Sequence, residues 1–197
     1  HLEKGTPLFF VLIDNLRFDQ WKIIQPKFAE SFRIQEEETF YSILPTATQY
    51  ARNAIFAGML PVDIEKQFPN QWKNDDEEGG KNLHEEEFLR ALLKKSGKGD
   101  LKVSYTKITN NHDGQKMVDN MHNFLQNDLN VIVYNFIDML SHARTEMEVL
   151  KELAGDETSY RSITESWFEH SPLHQALKKI AEKKITLIVA TDHGTTR

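Results

Sequence analysis

The sequence predicts an α/β fold built on a mostly parallel sheet sandwiched by helices, and two patterns predict it. Three apolar runs each end in an aspartate: Leu8 to Ile13 leads into Asp14, Val131 to Ile137 into Asp138, and Ile185 to Thr191 into Asp192. Strands buried on both faces read as unbroken apolar runs of this kind. The runs also alternate with segments of helical periodicity, the order that the crossovers of a parallel sheet require. Open sheets bind ligands outside the carboxyl ends of their strands. Two of the aspartates carry a histidine close by, His142 four residues after Asp138 and His193 directly after Asp192. Five metal-type ligands are therefore expected on one edge of one sheet. Any one of these aspartates also reads as the cap of a following helix. Three of them, two with an attached histidine, argue for a shared site.

The elements follow in order. Leu8 to Ile13 is the first strand. Pro26 interrupts the segment from Phe18 to Ala29, and a proline both removes an N–H and crowds the turn before it, so no more than a short helix is expected there. Phe40 to Leu44 reads as a short strand stopped by Pro45. Thr48 to Ala57 is a helix closed by Gly58, with Pro61 shortly beyond. Glu65 to Lys81, with Asp75-Asp76-Glu77-Glu78-Gly79-Gly80 inside it, reads as an exposed loop in preference to an acidic metal site, because charge runs are usually solvated. Asn82 is placed as the cap of a helix carrying Leu83, Phe88, Leu89, Leu92 and Leu93. Lys102 to Ile108 is a partly amphipathic strand and Gly114 to Leu125 a helix, whereas Thr158 to His170, with Trp167 and Phe168, has no assigned structure. Leu173 to Ala181 is a helix feeding the last strand. There is no internal repeat or low-complexity linker.

The 197 residues fit a single domain over 1–197, with 63–127 as a cap or insertion. A chain of this length buries roughly 70% of its unfolded surface, enough for a core without staples. The net charge of −6 argues against a surface that coats nucleic acid, so any phosphate-bearing ligand must be drawn by a local positive site. The absence of cysteine excludes disulfides, thiolate metal sites and cysteine nucleophiles, and leaves oxygen and imidazole nitrogen as the metal ligands. No apolar run approaches the ~20 residues that span a bilayer, and no basic stretch precedes an apolar segment at the start. A cytoplasmic protein without membrane attachment is expected. The last strand lies close to Arg197, and the expectation is a fragment truncated at its C-terminus.

A second signal lies in Leu44-Pro45-Thr46-Ala47-Thr48-Gln49-Tyr50-Ala51-Arg52-Asn53. Thr48 sits where a helix begins, beside free backbone N–H groups and the positive end of the helix dipole, a place where phosphate binds. Taken alone, Thr48 reads first as a plain N-cap. In a chain with five metal-type ligands it becomes the nucleophile candidate, because coordination to a divalent cation activates a hydroxyl. Arg52, one turn along, is the candidate substrate ligand for a phosphate oxygen, and also reads as a surface arginine. Two divalent cations bring +4 against −3 from Asp14, Asp138 and Asp192, leaving a site that attracts a phosphate ester, whereas one cation would leave it negative. With no sulfur available, zinc leads and manganese follows. A haloacid-dehalogenase-type mechanism is excluded, since it needs Asp-x-Asp where this chain has Asp14-Asn15-Leu16.

The ordered set of Asp14, Thr48, Asp138 with His142, and Asp192 with His193 resembles the alkaline phosphatase superfamily. Val11-Leu12-Ile13-Asp14-Asn15-Leu16-Arg17, the Thr48 segment, Phe136-Ile137-Asp138-Met139-Leu140-Ser141-His142 and Ala190-Thr191-Asp192-His193-Gly194 resemble its PglZ branch, and most closely the effector domain of PorX-type response regulators of type IX secretion. The resemblance spans nearly the whole chain. It implies an alkaline-phosphatase-like core and a metal-dependent phosphodiesterase or phosphatase acting on a nucleotide-like phosphodiester. Asp14, Thr48, Asp192 and His193 would hold one zinc ion, with Thr48 also the nucleophile and Thr46 its rival, while Asp138 and His142 would hold a second. The family completes the second site with a further histidine downstream, and His112, His122, His170 and His174 are the substitutes available here. An upstream receiver domain, a sigma-factor or secretion-regulatory partner and homodimerisation through the full-length protein are implied as well. The alternative is a catalytically silent interaction or ligand-sensing module that keeps the metal site as a structural element.

Overall fold

The computed structural model describes residues 2–74 and 76–195. In chain order its elements are β1 (Leu8–Ile13), α1 (Phe18–Ala29), α2 (Thr48–Ala57), α3 (Pro61–Gln67), α4 (Glu85–Lys95), β2 (Val103–Ile108), α5 (Asn111–Asp119), α6 (Met121–Phe124), β3 (Leu129–Tyr134), α7 (Phe136–Glu146), α8 (Glu148–Leu153), α9 (Glu157–His170), α10 (Pro172–Glu182) and β4 (Thr186–Ala190). They form two compact units, one holding the segments up to Thr39 and from Lys102 onward, the other Phe40–Leu101. The second unit ends before the expected insertion over 63–127 does. Val103–Ile108 hydrogen-bonds along β3 and so belongs to the sheet. Among the described residues no helix is long and apolar enough to cross a membrane.

The first unit is a four-stranded, all-parallel sheet in the order β2-β3-β1-β4, flanked by helices. Leu8 pairs with Leu129 on one side and Thr186 on the other, and the register runs on to Ile13 opposite Tyr134. The two inner strands are the most buried, while β2 and β4 at the edges are only partly covered, β2 with a mixed composition and β4 with an apolar one. Phe9, Val11 and Ile13 project from β1 into a core shared with Ile24 and Phe28 of α1, Phe168 of α9, and Leu173, Leu177 and Ile180 of α10. Phe28 and Phe168 stack with ring centroids 5.0 Å apart at an interplanar angle of 16°.

Several local expectations are corrected by this packing. The Phe18–Ala29 helix runs its full 12 residues through Pro26. The proline lies in the last turns, where one lost hydrogen bond is offset by burial of Ile24 and Phe28. The Gln20 side chain, through Oε1, accepts from the N–H of Arg17 at 3.1 Å and so closes the helix start, while its Nε2 donates to Thr164 Oγ1 of α9. The unassigned stretch from Thr158 to His170 is α9, capped by the Asp156 carboxylate accepting from the N–H of Ser159. Gly114 to Leu125 divides into α5 and α6 at Asn120.

In the second unit, α2 ends as expected at Gly58, whose φ of 62° is left-handed and whose N–H donates to the Ala54 carbonyl. A Cβ on Gly58 would come within 2.7 Å of a Leu92 methyl on α4, so close helix packing also requires the glycine. Phe40 to Leu44 forms no strand, and Phe40, Tyr41 and Leu44 are exposed. A strand forms only where a second strand runs beside it, and the sheet of the described residues does not include this segment. Asn82 does not cap α4, which starts at Glu85 after His84. Its amide donates instead to the Thr48 carbonyl and to Asn53 Oδ1. Residues Pro61–Gln67 are helical, so the expected loop begins later than Glu65. Its described acidic residues Asp76, Glu77 and Glu78 are exposed, and Asp75 lies outside the described residues.

Phe168 is fully buried against Phe28, and truncation to alanine leaves a cavity that the sheet cannot fill. Phe168→Ala is expected to cost about 3–5 kcal/mol, read as a lower urea midpoint with an unchanged denaturant slope.

Candidate metal centre

Parallel pairing puts the carboxyl ends of β3, β1 and β4 side by side, with β1 in the middle. Asp14 follows β1 directly, and its N–H continues the ladder by donating to the Tyr134 carbonyl at 3.0 Å. Asp192 and His193 follow β4. Asp14, Asp192 and His193 are all buried, and each offers one ligand atom within 4.8 Å of the others. His193 Nε2 lies 3.6 Å from Asp14 Oδ1 and 4.0 Å from Asp192 Oδ2. Two carboxylates and an imidazole in so small a buried volume form a donor set that suits a divalent cation of the zinc or manganese kind.

The loops hold this set by their own hydrogen bonds. Asp192 Oδ1 accepts from the N–H of Asn15 at 3.1 Å and from the N–H of His193 at 2.9 Å. Thr191 Oγ1 accepts from the N–H of Leu16 at 3.1 Å and donates to the His193 carbonyl at 2.8 Å. The turns after β1 and β4 are thus bonded to each other twice. Arg17 closes the turn from outside: its guanidinium pairs with Asp19 and Glu157 and stands 5.5 Å over the Tyr160 ring. A Cβ on Gly194 would come within 3.4 Å of the Arg17 Cα, so the chain after His193 passes close to this residue.

Asp138 is not at a strand end, as the continuous run from Val131 to Ile137 suggested. The strand stops at Tyr134, Asn135 donates its N–H to the Ile108 carbonyl, and Asp138 stands in the first turn of α7. The apolar run spans two elements because Ile137 is buried from the helix as completely as Val133 is from the strand. Asp138 reaches the centre through Asn15, whose Nδ2 donates to Asp138 Oδ1 at 3.2 Å. Burial pushes the Asp138 carboxyl above the usual carboxylate range, and the charge of Asp14 pushes it the same way against the nearby His142. His142 lies one turn on, its Nε2 3.6 Å from Asp138 Oδ2, with 70% of its side chain exposed.

The remaining candidates are placed as follows. Thr48 is the first residue of α2 in the second unit, and the N-cap is Ala47, a residue with no side-chain hydroxyl. Thr48 is therefore the first helical residue rather than the cap, and the cap position makes no side-chain hydrogen bond. Thr46 is exposed in the loop before the helix. Arg52 is buried in that unit and bound to the equally buried Glu85 carboxylate, which corrects its reading as a surface arginine and occupies the guanidinium proposed for phosphate. Of the substitute histidines, His112, His122 and His170 are exposed. His174 is buried with Nδ1 3.0 Å from the Glu169 carbonyl and its ring 5.1 Å from that of Phe168. None of the four belongs to the metal-type cluster found among the described residues.

Two residues of the centre were not singled out from sequence, Asn15 and Thr191. Asn15 carried a usable signal. Asparagine is one of the few residues that tolerates φ > 0, and here its φ is 61°. Thr191 carried none, since a threonine at a strand end is ordinary.

Residues 1–197 match the family model described as the BREX system PglZ alkaline phosphatase-like domain. No curated protein matches the chain.

The centre makes two predictions. Asp192→Asn keeps an acceptor for the Asn15 and His193 N–H groups and removes the charge, so it is expected to fold with near-normal stability. It should bind zinc at least about 100-fold more weakly by calorimetric titration, since even outer partners of a metal cost 10–100-fold. Asp19 and Glu157 are held below the usual carboxylate range, first of all by hydrogen bonds from Arg17. Depressed carboxylates stabilise the fold above their ordinary pKa, and this contribution is lost as pH falls through the folded values. Arg17→Met should therefore flatten the acid side of the melting-temperature profile below about pH 4.

Proposed function

Since the chain belongs to the PglZ alkaline phosphatase-like family, a phosphoesterase-type fold, we propose that it is a metal-dependent phosphodiesterase or phosphatase that uses Thr48 as its nucleophile. The observation that carries this reading is the buried Asp14, Asp192 and His193 set at the carboxyl ends of adjacent parallel strands. In this reading these three residues and Thr48 hold one cation, and Asp138 with His142 serves a second. Divalent cations bound there supply Lewis acidity toward phosphoryl oxygens and make a hydroxyl acidic at neutral pH.

The chain's own part is then nucleophilic. The Thr48 oxygen attacks phosphorus, its proton passes to solvent, and the ester's P–O bond breaks to release an alcohol. Water then cleaves the phosphothreonine, restoring the hydroxyl and releasing the phosphate product. The start of α2 suits this task, because the first N–H groups of a helix face an approaching anion. Arg52 is left out of this scheme, since Glu85 already engages it. A nucleotide-like phosphodiester as substrate, zinc as the metal, and a role as effector of a two-component regulator of type IX secretion are supported by the resemblance of the motif stretches.

Hydrolysis of a chromogenic aryl phosphodiester with added zinc or manganese is the expected result for the wild type, with activity lost on chelation and regained on adding metal. Thr48→Ala is expected to lower kcat by at least about 10³-fold while metal stays bound, as removal of a nucleophile does elsewhere. Undiminished turnover in that variant would rule out the nucleophile assignment. A wild type that binds metal but turns over no ester would favour the ligand-sensing alternative.

A further inference from the structure

We propose that Asn15 is a positioning residue that locks Asp138 to the Asp14, Asp192 and His193 cluster, setting both parts of the centre as one body. The inference deepens the metal reading above and rests on it where it speaks of ligands.

Asn15 is 2% exposed and is one of two described non-glycine residues with positive φ. That conformation costs an L-residue roughly 1–2 kcal/mol, so it persists only where the surroundings fix it. Here they do. The left-handed turn ends β1 and aims two donors of one residue in two directions. The main-chain N–H meets Asp192 Oδ1 at 3.1 Å, from the loop after β4. The side-chain Nδ2 meets Asp138 Oδ1 at 3.2 Å, from the helix after β3. The loop after β4 and the helix after β3 follow strands that flank β1 on opposite sides in the sheet order, and Asn15 bonds to both.

The residue type follows from the two tasks. Glycine would take the φ but offer no side-chain donor, aspartate would set a carboxylate against Asp138, and a longer amide would tolerate the turn less well. Asparagine meets both demands. Its Oδ1 is also buried with no hydrogen-bond partner among the described residues. Outer-shell bonds of this kind fix the orientation of ligating carboxylates. Asp138 needs such a bond more than the others, since it stands on a helix rather than at a strand end.

Two measurements test the assignment. The first uses metal-free protein and a thermal double-mutant cycle of Asn15→Gly and Asp138→Ala. The expected result is non-additivity of about 2 °C or more in melting temperature, the shift that a hydrogen bond to a charged group gives in a chain of this size. Additive effects would overturn the bridge, with no metal involved. The second is a zinc titration of the same proteins. The component of zinc binding that Asp138→Ala removes should weaken about 10–100-fold in Asn15→Gly, while the remaining component changes less than about 2-fold, a split that general loosening of the fold would not give. Equal weakening of both components, or of neither, would overturn the positioning role. Zinc binding that does not depend on Asp138 at all would instead overturn the ligand role given to Asp138, leaving the bridge to be decided by the cycle.

Discussion

A single carboxylate oxygen holds the working end of the sheet together. Asp192 Oδ1 accepts from the main-chain N–H groups of both Asn15 and His193, tying the turn after β1 to the turn after β4. Each of those donors is buried, and leaving one unpaired would cost about 1–3 kcal/mol. The same bonds bring Asp192 beside Asp14 and leave His193 Nε2 within 4.0 Å of a carboxylate oxygen of each. Geometry that stabilises the fold and geometry that gathers ligands are therefore one arrangement, reinforced by Thr191 between Leu16 and His193.

This arrangement stands on the sheet behind it. Strands paired in parallel, as β1 and β3 are, read as largely apolar because both faces are buried: on β1, Phe9, Val11 and Ile13 pack against α1, α9 and α10 on one face, and Leu8 and Leu12, which alternate to the other, are buried as well. Once the strands are fixed in register, their carboxyl ends are level to within a residue or so, and side chains that follow them converge. Three acidic groups that would repel one another in isolation are then held close by hydrogen bonding to the backbone and to Asn15. The upward push on Asp138 from burial and from Asp14 records that cost, and a bound cation would reverse its sign.

Arg17 and Arg52 show how charge is used away from the centre. Both follow motif residues closely in sequence, and both are bound to carboxylates, Arg17 to Asp19 and Glu157, Arg52 to Glu85. The first pairing anchors the turn that carries Asp14 to helix α9. The second is buried within the helical unit, where removing one partner would strand the other's charge. An arginine near a phosphate-type motif is thus a framework element here, which its position along the chain alone did not disclose.

By itself the sequence determined the parallel α/β class, the four strands that form the sheet, the helix from Thr48 to Ala57 closed by Gly58, and the Asp14, Asp192 and His193 set, because each of these is written in a local signal: an apolar run, a stop glycine, a polar residue at a strand end. The tertiary structure decided the rest. It turned Phe136 and Ile137 from the end of a strand into the first turn of a helix, since an apolar residue is buried equally well from either. It carried the helix through Pro26 because core contacts outweigh one missing hydrogen bond. It left Phe40 to Leu44 without a strand, since pairing needs a neighbour that no local sequence can supply. It also gave Asn15 its part, joining residues 123 and 177 positions away in the chain, a relation that exists only once the strands lie side by side.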